Sequence, residues 1–250
     1  MQPAQRQWFR SELALVLLLS LGASAAYAVV SIVASLLQGS LNQQSATLVG
    51  SMAVNPWIDL VRQLLSIFFT LVPVALAWHF LARSGESFRT IGLDGRRPRF
   101  DIVLGAGLAA FVGGIGLALY LGARAAGFNL TVVPTSLPPV WWRFPVLIAY
   151  AVMNASLEES LVSGYLLHRL RQLGVGQNKA LVISATLRGS YHLYQGFGGF
   201  VGNLAMGLLF GRVWQRTGRT TPLVIAHSLI DIVAFIGYAL LAGHVSWLPT

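Results

Sequence analysis

Two adjacent carboxylates, Glu158 and Glu159, stand inside an apolar run that begins near Trp141. An ionised group in hydrocarbon costs about 3 kcal/mol even on the lenient insertion scale, so each needs a partner. The polar groups that recur in the later apolar runs are Arg188 with His192, and His227 with Asp231. Each pair is spaced i, i+4 and shares one helix face, as do Asn154 and Glu158. Glu159 is turned about 100° from Glu158, so the two carboxylates face different partners. Counting about 1.5 Å per residue from the basic residue at each inner helix end puts Glu158 about 16 Å deep, His192 about 20 Å, His227 about 12 Å and Asp231 about 18 Å. All four fall in a central layer of a hydrocarbon core about 30 Å thick. On this reading Glu159 and Arg188 form a buried ion pair that keeps Glu159 ionised. Glu158 then faces His192 and His227 as the working carboxylate.

The chemistry such a set permits is hydrolysis. Glu158 can act as general base on a water. The histidines can hold that water directly, or hold a metal that activates it. His227, one turn from Asp231, can be an oriented imidazole, an oxyanion stabiliser or part of a ligand set. No serine has His and Asp neighbours arranged as a triad, and the absence of cysteine excludes thiol nucleophiles and disulfides. Two other readings stand beside this one. The same residues could form a structural hydrogen-bond network, or a carboxylate–histidine relay of a small proton-coupled transporter. The chain lacks the paired broken helices in matched halves that favour a transporter.

The elements that must position these residues are membrane helices. Of the 250 residues 55% are hydrophobic and 10% charged, against about 25% charged in soluble domains. The expectation is an all-α polytopic bundle of about seven or eight spans, forming one domain. Residues 1–140 would hold the N-terminal transmembrane helices and loops, and 141–245 the catalytic helical core. The expected spans are Leu13–Leu37, Trp57–Leu81, Ile102–Leu121, the run carrying Glu158 and ending at Arg169, then Lys179–Tyr194, Phe200–Trp214 and Pro222–Leu241. Arg6, Arg10 and Ala26-Tyr27-Ala28 outline a cleaved signal peptide. The apolar run continues beyond it, however, and an uncleaved helix is expected. Asp59 and Arg62 are expected to pair at an interface, and His79 to lie at one. Of 17 Lys and Arg, all but Arg62, Arg124, Arg143 and Arg188 fall on one side of this threading, leaving 13. That asymmetry predicts a cytoplasmic N-terminus and a site opening toward the arginine-rich, cytoplasmic side. The net charge of +9 is then topogenic, and nucleic acid is not an expected partner.

With these residues in view, the chain resembles the CPBP family, the CAAX protease and bacteriocin-processing membrane endopeptidases also called the abortive-infection family. The family's marks are Glu-Glu-x-x-x-Arg, Phe-x-x-x-His and His-x-x-x-Asn/Asp on successive helices. Here they read Glu158-Glu159-Ser-Leu-Val-Ser163, Arg188-Gly-Ser-Tyr-His192 and His227-Ser-Leu-Ile-Asp231, within about residues 141–240. Ser163 stands where the family has Arg, and Arg188 where it has Phe. Together these departures suggest that the guanidinium has moved from one helix to the next and still meets Glu159. The resemblance implies a membrane-embedded endopeptidase acting on a membrane-associated peptide or protein, with prenylated CAAX-type substrates as the prototype. It implies Glu158 as the water-activating residue, His192 and His227 as its partners, and Asp231 as a helper at the oxyanion or metal. It leaves open a Zn2+ on Glu158, His192 and His227 or a metal-free glutamic mechanism. A non-catalytic immunity or scaffold protein is the family's other reading. The Arg-rich, Lys-poor composition points to a bacterial plasma-membrane protein.

Overall fold

The computed structural model describes residues 2–245 and Leu248, and the chain is nearly all helical. The helices are α1 (Pro3–Leu18), α2 (Leu21–Gln38), α3 (Pro56–Thr70), α4 (Val72–Arg83), α5 (Pro98–Ala125), α6 (Arg143–Glu158), α7 (Leu167–Gln172), α8 (Gln177–Tyr191), α9 (Phe197–Thr217) and α10 (Thr221–Leu241). A π-helical segment, Glu159–Leu166, joins α6 to α7 in one continuous rod. Among the described residues five helical rods are long and apolar enough to cross a membrane: α2, α3–α4, α5, α6–α7 and α10. The chain is an integral membrane protein. The expected fifth and sixth spans form as α8 and α9, but α8 has 15 residues and α9 carries Arg212 and Arg216 in its last turns.

Local sequence sets most boundaries. Asn55 caps α3, its side-chain oxygen accepting from the Trp57 and Ile58 amides. Pro73 has no amide to donate back along the rod, and the α3–α4 rod breaks at Leu71. One expectation fails here. The run from Leu13 to Leu37 is two helices, because the backbone leaves the helical region at Ser20 (φ −142°, ψ −117°). The part before the break buries Phe9, Leu13 and Val16, while the span proper starts at Leu21.

The largest core cluster spans both halves of the chain, joining Leu13, Leu21 and Leu81 to Leu161, Tyr165, Phe210 and Leu223. Its arginine-rich end is tied by two ion networks that span long sequence separations. Arg169, fully buried, donates to Glu86 Oε2 at 2.6 Å, to Gln172 and to Ser84 Oγ, and its guanidinium lies 4.1 Å from the Phe9 ring. His168 Nε2 meets the other Glu86 oxygen at 2.6 Å. Burial pushes the Glu86 carboxyl up, but His168 and Arg169 beside it, with the bond from Ser84, hold it below the usual carboxylate range. In the second network Arg219 donates to both oxygens of Asp101 at 2.6 Å and to Asp94 at 2.9 Å. Gly92 turns the chain beside it at φ +74°, and its carbonyl accepts from the Thr220 and Thr221 amides. A Cβ on Gly92 would lie 1.9 Å from the Gly218 carbonyl oxygen, so no other residue fits that crossing.

The opposite end carries structure outside the expected spans. Ser45–Val49 (β1) and Thr131–Thr135 (β2) pair in parallel, Ser45 opposite Thr131 and Val49 opposite Thr135. Asn129 bridges to Gly196, which brings the turn after α8 against the same cap. The expected Asp59–Arg62 pair is absent among the described residues. Asp59 instead accepts from Ser51 Oγ at 2.6 Å, the Met52 amide at 2.8 Å and Gln63 Nε2 at 3.0 Å, while Arg62 turns to the Met52 carbonyl. Gln63 is one helical turn from Asp59, and its amide also accepts from Tyr150 of α6, locking α3 to α6.

Candidate active site

The π segment begins directly after Glu158, and all of its eight residues are buried. A π turn widens the helix and is often found at functional sites. Gly164 lets this wide segment pass close to its neighbours, since a Cβ there would lie 2.9 Å from Ile91 Cδ1 and 3.0 Å from Thr220 Oγ1. The result is that Glu158 and Glu159 sit at the middle of the bundle, between α8 and α10.

Glu159 is fully buried and both of its oxygens are engaged. Oε1 accepts from Arg188 Nη2 and meets His227 Nδ1 at 2.8 Å. Oε2 accepts from Ser163 Oγ at 2.6 Å. The residue at the family's arginine position therefore contacts Glu159 as a hydroxyl, and the guanidinium arrives from α8. Arg188 is itself fully buried, with Phe210 beside it at 5.5 Å. Its Cδ lies where a side chain on Gly207 would project, 3.3 Å from that glycine's ideal Cβ, so the glycine leaves room for it.

Glu158 is arranged differently. Its Oε2 accepts from Tyr191 Oη at 2.7 Å and lies 3.4 Å from Arg188 Nη2. Its Oε1 faces His192 Nε2 at 3.7 Å, too far for a direct hydrogen bond. That His192 nitrogen is buried and has no hydrogen-bond partner among the described residues. The other ring nitrogen of His192 lies 3.4 Å from Gln195 Nε2. His227 Nε2 is 3.6 Å from Asp231 Oδ2, and Asp231 accepts from Asn154 Nδ2 at 3.0 Å. So Glu158, Glu159, Arg188, His192, His227 and Asp231 form one connected cluster drawn from α6 and the π segment, the end of α8, and α10. The 100° offset between the two carboxylates sends them to separate partners, but both side chains are long enough to share Arg188.

Two residues that bond to this cluster had no assigned role in the sequence. Tyr191 was passed over although it precedes His192. Asn154 was placed on the face of Glu158 without a partner. Arg188, Glu159 and Ser163 are buried toward the arginine-rich end, whereas His192, Asp231 and Asn154 are partly exposed and lie toward the β1–β2 end. The reason is that α8 stops at Tyr191, so His192 and the turn after it sit at a helix end.

The donors suit a divalent cation in type and number. One atom each from Glu158, Glu159 and His227 lie within 4.8 Å of one another. Both Glu159 oxygens and His227 Nδ1 are already engaged in hydrogen bonds, and His192 does not join this group of converging donor atoms.

Residues 139–233 match the family model described as type II CAAX prenyl endopeptidase Rce1-like, and this part of the chain is similar to that family. The match covers the whole cluster, from the start of α6 to Asp231 in α10. No curated protein and no solved structure matches the chain. The family implies a protease acting at a lipid bilayer on a membrane-associated substrate.

Proposed function

We propose that this protein is an intramembrane endopeptidase in which Glu158 activates a water for attack on a peptide bond of a membrane-associated substrate. The observation that carries this reading is the gap between Glu158 Oε1 and His192 Nε2. The two polar atoms are 3.7 Å apart, and the nitrogen is unpartnered among the described residues. A water placed there can bond to both, which neither atom achieves with the other. Glu158 takes the water's proton as the oxygen attacks the carbonyl carbon, and returns it to the leaving amine as the C–N bond breaks. His227, held at Nδ1 by Glu159 with its Nε2 3.6 Å from Asp231, is the group we assign to stabilise the tetrahedral oxyanion. Arg188 and Ser163 hold Glu159, and Glu159 holds the His227 ring. A zinc bound by Glu158, His192 and His227 would supply Lewis acidity and a more acidic water. Prenylated CAAX-type proteins are the substrates we propose to try first, because the family model carries that description.

We also propose seven crossings, with α8 and α9 joining the five long apolar rods and α8 the short one, and the arginine-rich end in the cytoplasm of a bacterial plasma membrane. At about 1.5 Å per residue, α8 extends about 22 Å, less than the hydrocarbon thickness. Ser184 and Arg188 in its middle are buried, so lipid need not solvate them.

The test is peptidase activity and metal content measured on one detergent-purified sample, wild type beside Glu158→Gln, against a peptide library that includes prenylated CAAX sequences. Cleavage lost in the variant supports the reading, and stoichiometric zinc in the wild type assigns the metal mechanism. Folded wild type that cleaves nothing would leave the scaffold reading in its place.

A further inference from the structure

We propose that Tyr191 is a positioning residue of this site, fixing which oxygen of Glu158 faces the water. The inference rests on the peptidase reading above. A glutamate's terminal torsion is broad and roughly two-fold, so a carboxylate by itself has no preference between its oxygens. Here the donors are all on one of them. Tyr191 Oη at 2.7 Å and Arg188 Nη2 at 3.4 Å both address Oε2. No donor bonds Oε1 among the described residues, and that oxygen faces His192.

The tyrosine also touches the other member of the pair. Its ring lies 4.8 Å from the His192 ring, tilted by 44°. Tyr191 is the last residue of α8 and His192 the first beyond it, so one helix end sets both. Arg188, one turn earlier, cannot replace this bond. It is already committed to Glu159, and its reach to Glu158 is the longer of the two. A tyrosine buried only for packing would need some acceptor for its hydroxyl. What distinguishes this one is that its acceptor is the working carboxylate and its ring neighbour is the histidine opposite.

The experiment uses the full chain in detergent, with Tyr191→Phe, which keeps the ring and removes the hydroxyl. Three quantities are read: kcat and KM on the best library substrate, the melting temperature, and the infrared carboxylate stretch that disappears in Glu158→Gln. The expected result is a kcat lower by about 10- to 100-fold, the range for residues that orient a reacting group. KM should stay within about twofold, and the Glu158 band should shift as its hydrogen bond is lost. Adding Tyr191→Phe to Glu158→Gln should slow residual turnover no further, since the two act as a unit. An unchanged kcat, an unmoved Glu158 band, or a loss of activity that only tracks unfolding would overturn the role. Because the infrared arm needs no substrate, a wild type that cleaves with an unmoved band sinks the tyrosine's role alone, whereas a folded wild type that cleaves nothing sinks the peptidase reading.

Discussion

Replacing Arg188 with Phe should inactivate the protein, and adding Ser163→Arg should restore it. The perturbation removes the only guanidinium that reaches Glu159 among the described residues. It leaves a fully buried carboxylate with a hydroxyl from Ser163 at 2.6 Å and the His227 ring at 2.8 Å. Breaking a buried pair by deleting one partner costs about 3–5 kcal/mol, because the remaining charge is uncompensated. That is a large share of a net stability of about 5–15 kcal/mol. For a chain of this size it corresponds to a fall in melting temperature of roughly 6–20 °C. Packing itself should change little, since Phe fills much of the space beside Phe210. An arginine at 163 starts from the π segment next to the same carboxylate and can supply the missing charge from the other helix. The assay is a double-mutant cycle: melting temperature and peptide cleavage for wild type, each single variant and the pair. Recovery in the pair of most of the lost melting temperature, together with measurable cleavage, is expected. A double variant as unstable and inactive as Arg188→Phe would refute the idea that the guanidinium has changed helices.

Other outcomes follow from the networks that hold the site. Gly92→Ala should abolish accumulation of folded protein, since its Cβ would overlap the Gly218 carbonyl at 1.9 Å and the backbone there is left-handed at φ +74°; detergent-extracted yield on size exclusion reads this directly. Glu86 gives a pH dependence. Its folded carboxyl titrates below its ordinary value of 4.5, so the unfolded chain takes up the proton first. The stability it contributes is therefore complete above about pH 4.5 and is lost as pH falls through the lowered folded value. Glu86→Gln should flatten the acid limb of melting temperature against pH, and an unchanged limb would remove Glu86 from the account. Tyr150→Phe should cost about 1 kcal/mol through the bond to Gln63, a melting shift of a few degrees with cleavage unaffected.

How much of this was legible beforehand can be traced residue by residue. Composition and apolar run length already require a helical membrane protein, because backbone polar groups in lipid must be satisfied within helices. The i, i+4 spacing of His227 and Asp231, and of Arg188 and His192, is fixed by helix geometry and carries over directly. The expensive burial of Glu158 and Glu159 demanded partners, and the short set of polar residues in other apolar runs named them. The motif order then carried the family resemblance.

What the sequence could not determine depends on which surfaces meet. Nothing local in Ser45–Val49 or Thr131–Thr135 announces a parallel pair between segments some 80 residues apart. Arg169 and Arg219 read as ordinary topogenic arginines, yet both are buried, because Glu86, Asp94 and Asp101 are brought to them from segments far apart in sequence. The break at Ser20 lies inside a run whose hydrophobicity is continuous, and only packing against the rest of the bundle makes two helices the better arrangement. Tyr191 is the sharpest case. Its spacing says only that it follows Arg188 by three residues. That its hydroxyl lands on Glu158 depends on how far α8 slides along α6, a displacement set by side-chain packing across the interface and absent from the periodicity of either helix.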